Sequence, residues 1–420
     1  MNEEAPDATE LVADLFRRES AHLVAALTRV LGPSNLTLAE DVVHDALLSA
    51  MQAWRFGLPR DPSAWLLRTA KNRAIDLIRR DRRLQALLPE LESEWTLVGT
   101  VSSALSPAAD ASNQLAMMFS ICDETLSVET HATLILRLLC GFSAQEIARA
   151  FVVDVQTIDR RLHRGRARLQ ALGRLHDASD PAQLRARQPS VVQALYLLFN
   201  EGYHGSDPDN PLQPALCADA LRLAELLLES PATSHLEAHA LSALFCLNAA
   251  RLSTRLDRDG VFVPLSEQDR SAWDQSLIAR GIAHLAAAST GDRMTRWHLE
   301  AGIAWEHSCA SSLEATSWQR IVDLYDSLLA LNPGPIVALN RALALAELHG
   351  LEAGQNALLE LEDEPRLQRY PFYWAALADL ESRAGRLAAA QPLYERAVAL
   401  ARSRAERVAY QRKLDRLDAE

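Results

Sequence analysis

Six arginines stand between residues 156 and 176, with Asp159 as the single acid among them. On a helix beginning near Val155, Thr157, Arg161, Arg164 and Arg168 share one stripe, and Ile158, Leu162 and Leu169 share another. The apolar stripe is expected to pack inward and the cationic one to face out. Such a face fits the major groove of duplex DNA, where arginine pairs bidentately with guanine while neighbouring cations hold phosphates. Thr157, Arg160, Arg161 and Arg164 are expected near base edges or adjacent phosphates, and Arg166 and Arg168 on phosphates. Asp159 must either turn away from the duplex or accept from a cytosine amino group.

A second basic stretch, residues 55–83, holds nine Lys/Arg against Asp61, Asp76 and Asp81. It mixes charge with aromatic and polar groups: Arg60, Trp65, Arg68, Thr69, Lys71, Asn72, Arg73, Arg79 and Arg80. Single-stranded DNA is held by such mixtures, because aromatic faces stack on unpaired bases while cations follow the backbone. Trp65 is equally suited to a core position against Trp54. The rest of the chain is acidic. The net charge is −12, and residues 177–420 carry 33 Asp/Glu against 23 Lys/Arg, which excludes coating of nucleic acid through bulk charge and suits protein contact.

These segments must be positioned by helices. The 420-residue chain is long enough for several domains, and its patterned segments show helical rather than alternating periodicity, so the expected class is all-α. Amphipathic helices are expected over 11–31 and 38–54, with a third entered through Pro62 and Ser63. Residues 84–112 lose periodicity and read as a connector. Ser143 with Glu146 three positions later forms a capping box that opens a short helix, and the basic helix follows at helix-turn-helix spacing. Residues 177–189 read as a second polar connector, followed by a long helical region. Near the end, Trp374, Leu377, Ala378, Gly385, Ala390, Tyr394 and Ala397 stand at tetratricopeptide-repeat spacing, with an ordinary helical bundle as the alternative.

Little suggests catalysis. The five cysteines are scattered, without a C-x-x-C pair, and no phosphate-binding glycine loop or nucleophile elbow occurs. His235 and His239 flank Glu237 and could share a metal on a helix, but a structural role is the simpler reading. Asn200-Glu201-Gly202-Tyr203-His204 reads as a capped turn, with a small-ligand pocket as the alternative. Neither enzyme activity, nor a metal, nor a cofactor is expected. The acidic N-terminus lacks the order of a signal peptide, and no apolar run approaches a membrane span, so a cytoplasmic protein without membrane contact is expected.

Ala39-Glu-Asp-Val-Val-His-Asp-Ala-Leu-Leu-Ser-Ala-Met-Gln-Ala-Trp54, then Pro62-Ser-Ala-Trp-Leu-Leu-Arg-Thr-Ala-Lys-Asn-Arg-Ala-Ile-Asp76, then the helix-turn-helix, resemble regions two and four of bacterial extracytoplasmic-function sigma factors, the fourth group of the sigma-70 family. His44 departs from the glutamine common there, and Phe151-Val-Val replaces the usual glycine of the turn. The resemblance implies region two over 10–83, a linker over 84–112, region four over 113–176, a linker over 177–189, a helical extension over 190–316 and tetratricopeptide-like repeats over 317–415. It implies that Glu40, Asp41, Val42, Val43, Asp45 and Leu47 dock on the β′ clamp helices of core RNA polymerase, with the β flap as a further contact. The loop 55–62 and helix 63–80 would open the −10 element, and the helix-turn-helix, with Ser143 at its entry, would read the −35 element. Leu195-Tyr-Leu-Leu-Phe-Asn-Glu-Gly-Tyr203, Asp269-Arg-Ser-Ala-Trp-Asp274 and Leu339-Asn-Arg-Ala342 resemble the long C-terminal extension of one subgroup, which implies self-regulation, with a regulatory protein or ligand on the extension as a further partner. The rival reading is a polymerase-independent helix-turn-helix regulator with a repeat-type sensor domain.

Overall fold

The computed structural model describes residues 8–32, 35–80, 110–151, 153–172, 180–205 and 211–417. The expected connector 84–112 therefore lies outside the described residues as far as 109. The described residues are mainly helical, without strands, and divide into two units, 1–198 and 199–420.

In the first unit, α1 (Ala8–Leu31), α2 (Leu36–Ala53) and α3 (Pro62–Arg80) pack pairwise. Their shared core includes Leu23, Leu27, Val42, Val43, Ala46, Leu66, Ala70 and Ile78, all buried. Asp61 caps α3: its carboxylate accepts the Ala64 N–H at 2.9 Å and its carbonyl the Trp65 N–H at 3.1 Å. Pro62 thus falls at the first helical position, where its missing N–H has no intrahelical acceptor to lose. A second group comprises α4 (Asp110–Ser120), α5 (Val128–Leu139), α6 (Ala144–Phe151) and α7 (Val155–Ala171). Helix α1 packs on both α4 and α5, so the two groups share one unit.

Gly165 sets how closely α7 approaches α5. A Cβ added there would lie 2.7–2.9 Å from three carbons of Leu134, which is itself fully buried. Gly165→Ala should cost about 1–3 kcal/mol, typical of overpacking a tight core. A lowered urea midpoint for unfolding of the first unit would show it; an unchanged midpoint would mean that Leu134 moves aside freely.

Helix α8 (Pro181–Tyr203) corrects one expectation. Residues 181–189 were expected to be connector because they are polar and contain Pro181 and Pro189, yet they form its first turns. Asp180 caps them through the Ala182 N–H at 2.9 Å, and Leu184, Val191, Val192 and Leu195 are buried. Asn200–Tyr203, read as a capped turn, is likewise the last turn of this helix.

The second unit continues with α9 (Pro214–Glu229), α10 (Leu236–Ala249), α11 (Gln275–Ala288) and α12 (Arg296–Cys309). Then come α13 (Trp318–Leu331), α14 (Pro335–His349), α15 (Leu351–Leu359), α16 (Pro371–Arg383), α17 (Leu387–Leu400) and α18 (Arg404–Leu417), each packed on the next in sequence. Trp374, Leu377, Ala378, Ala390, Tyr394 and Ala397 are all buried between α16, α17 and their neighbours. Gly385 ends α16 with φ +76°, a left-handed turn that favours glycine.

Candidate nucleic-acid interface

Helix α7 is entered through two local caps. Ser143 and Glu146 make the reciprocal capping box of α6, with the Ser143 N–H donating to Glu146 at 2.7 Å and the Glu146 N–H to Ser143 Oγ at 3.2 Å. Asp154 caps α7 by accepting the Thr157 N–H at 2.7 Å, and this bond holds its carboxyl below the usual range. Ile158 and Leu169 are buried beneath the helix, and Gly165 sits between them against Leu134.

The face left in solvent differs from the expected stripe. Gln156, Asp159, Arg160, His163, Arg164 and Ala167 are exposed, and all but Gln156 line one shallow open depression. Arg161 is half-buried, its guanidinium 5.0 Å from the Phe151 ring centroid. Arg168 is anchored bidentately to the buried carboxylate of Asp123, at 2.9 and 3.1 Å. The Asp123 N–H donates to His131 Nε2 at 2.9 Å, and His131 Nδ1 meets Ser190 Oγ at 2.9 Å, which fits a neutral ring; burial lowers its pKa. Arg166 reaches Glu40 on α2 at 2.6 Å, and the pair joins the two helix groups. Burial raises the Glu40 pKa, with Arg166 opposing it. His163 belongs to the open face and was missed by the sequence reading, which followed charge alone.

On α3, Arg68, Asn72, Arg73, Arg79 and Arg80 are exposed, as is Arg60 in the preceding loop. Lys71, Thr69 and Trp65 are half-buried. Trp65 packs edge-on against Trp54 with ring centroids 5.4 Å apart, and Thr69 Oγ1 donates to the Trp65 carbonyl at 2.9 Å. The contact with Trp54 is the one the core reading of Trp65 expected. Arg73 binds Asp45 at 3.0 Å and Ser49 at 2.8 Å, so α2 and α3 are bridged on their exposed side.

The expected docking residues on α2 separate into two groups. Val42 and Val43 are only 4% and 2% exposed and belong to the core between α1 and α3, which removes them from any docking surface. Asp41 and Asp45 are exposed, and Glu40 and Leu47 half-buried. The apolar groups that face solvent are instead Leu48, at 43%, and Met51, at 60%, beside His44.

Elsewhere, His239 Nδ1 meets His284 Nδ1 at 3.2 Å. Among the described residues no group of three or more His, Cys, Asp or Glu could hold a metal ion. The five cysteines are free, and no described helix is long and apolar enough to cross a membrane.

An exposed basic helix in a three-helix group and another in a helix-turn-helix are two surfaces suited to nucleic acid. Sigma-70 region 2 matches residues 15–84, and sigma-70 region 4 matches residues 124–169. A family of unknown function matches residues 187–289. An uncharacterized protein of Rhizobium meliloti (strain 1021) is 35% identical over 390 residues, which cover 92% of this chain and 91% of that protein. No solved structure matches. Regions 2 and 4, in that order along the chain, support a sigma-70 family sigma factor for promoter recognition.

Proposed function

We propose that the chain is an extracytoplasmic-function sigma factor that binds core RNA polymerase, reads a −35 element with α7 and opens a −10 element with α3. The observation that carries this reading is the order of two modules, each presenting an exposed cationic helix: Arg160 and Arg164 on α7, and Arg68, Asn72 and Arg79 on α3. Duplex and unpaired DNA need different surfaces, and these differ in the required way, since the α3 surface carries Trp65 and Asn72 among its cations. Asp41, Asp45, Leu48 and Met51 on α2 supply an acidic and apolar surface for a basic helical partner. Co-elution of the purified protein with core polymerase in size-exclusion chromatography tests the reading. Separate elution at micromolar concentration would contradict it.

The second unit is read as a regulatory extension with tetratricopeptide-like helix pairs in α13–α18. Its support is the sequential packing of those helices and the burial of the small and aromatic residues at repeat spacing. Removal of this unit should change initiation at least several-fold, in either direction. Because Ser190 and the buried residues around it belong to the first unit, the truncation must keep α8 and end after His204. Unchanged transcript yield from that truncated protein would remove the regulatory role.

A further inference from the structure

The end of α8 and the turn after α10 bring together a group of cations that promoter recognition does not use. Arg255 is 8% exposed, stacks on the Tyr203 ring at 3.7 Å and meets His204 Nδ1 at 3.2 Å. Arg251, one turn earlier, and Arg270 lie against the same indole, that of Trp273, at 5.3 and 5.0 Å. These positions are braced. Arg251 Nε donates to Gln268 at 3.2 Å, Gln268 donates to the Val263 carbonyl at 2.9 Å, and Trp273 Nε1 donates to Thr254 at 3.0 Å. Arg270 donates to the carbonyls of His307 and Ala310 at the end of α12.

Among the described residues the group lacks paired counter-charge. Among the described residues no carboxylate forms an ion pair with Arg251, Arg255 or Arg270, although Glu314 favours the charge of Arg270 from a distance. Arg255 Nε, Arg270 Nη2, Tyr203 Oη and His307 Nδ1 are buried without a hydrogen-bond partner. Burial, then Arg251 and Arg270, push His307 down to about 4. Desolvation of its ring, then Arg255, Arg402 and Arg251, hold His204 well below its ordinary value, although the residue as a whole is exposed. Both rings are therefore neutral at pH 7 and can donate an N–H. Burying cations without a counter-ion is costly, and leaving their donors unpaired adds to the cost. An oxyanion removes both penalties, because guanidinium groups offer paired donors that match its geometry. Stacking on Tyr203 and Trp273 leaves the guanidinium edges to make those bonds.

We propose that Arg251, Arg255 and Arg270, with Tyr203, His204 and His307, form a binding site for a small oxyanion, a phosphate group or a carboxylate, in the second unit. Five of these residues lie within the 187–289 segment matched by the family of unknown function. The binding claim is independent of the sigma-factor reading, which would only add that the ligand reports to transcription.

Isothermal titration of the full chain with inorganic phosphate, and separately with succinate, at constant ionic strength tests the site. Saturable binding of at least one anion is expected, weakened about ten-fold or more by Arg251→Gln and less by Arg251→Lys, with Arg160→Ala/Arg164→Ala unchanged. Phosphate alone would assign a phosphoryl ligand, and succinate alone a carboxylate; either supports the site. Should Arg251→Gln fail to fold by circular dichroism, Arg270→Gln, which is less buried, takes its place. Absence of saturable binding of both anions, or binding lost with Arg160→Ala/Arg164→Ala and kept with the Arg251 or Arg270 variant, would overturn the proposal.

Discussion

Replacing Arg160 and Arg164 together by alanine should abolish promoter-specific initiation while leaving the protein folded and bound to polymerase. Both side chains lie on the open face of α7, and neither has an ion-pair partner among the described residues, so their loss leaves no buried group unpaired. A bidentate arginine contact to guanine contributes about 1–3 kcal/mol of discrimination, so two such contacts correspond to roughly 30-fold to 25,000-fold in affinity. Where either residue meets phosphate instead, the loss falls equally on all sequences and the salt dependence becomes shallower. Binding of polymerase holoenzyme to promoter duplexes with matched and scrambled −35 sequences, at two salt concentrations, separates these outcomes. Arg161→Ala and Arg168→Ala should behave differently. Their guanidinium groups are held by Phe151 and Asp123, so their removal should weaken folding of the first unit as well.

The second large effect concerns α2. Leu48→Asp combined with Met51→Asp should weaken association with core polymerase by about 2 kcal/mol or more, roughly 30-fold, if these exposed apolar groups anchor the interface. Both project from the protein, at 43% and 60% exposure, so the substitutions should leave the melting temperature within a few degrees of the parent. Val42→Asp offers the contrast, since a charge placed in the core between α1 and α3 should unfold the three-helix group. Fluorescence anisotropy of labelled protein titrated with core polymerase measures the first effect, and thermal unfolding separates it from the second.

Much of this architecture was legible locally. Helical periodicity gave the fold class, Ser143 with Glu146 gave the start of α6, and Ile158 with Leu169 gave the buried side of α7. What escaped depended on partners far along the chain. The open face of α7 is rotated from the expected stripe because Gly165 fits against Leu134 and Arg168 is drawn to Asp123, contacts that span 31 and 45 residues. Glu40 and Arg166, assigned to different partners from sequence, hold each other across 126 residues. In α2 the pattern Val42-Val43 marks an apolar face without saying whether a partner or the protein's own helices cover it; packing by α1 and α3 decides. The polar segment 181–189 folds as helix because the apolar residues that anchor it, such as Val191 and Leu195, lie one and two turns further on. The arginine group around Trp273 was invisible for the same reason, since its members come from separate turns of the second unit.

Run-off transcription with purified core polymerase is the direct test of whether this chain brings RNA polymerase to promoters. A discrete transcript is expected that requires the protein, starts downstream of a −10 element and disappears with Arg160→Ala/Arg164→Ala. A protein that shifts promoter DNA by itself, fails to bind core polymerase and yields no dependent transcript would contradict it, and would leave the polymerase-independent regulator as the reading that fits.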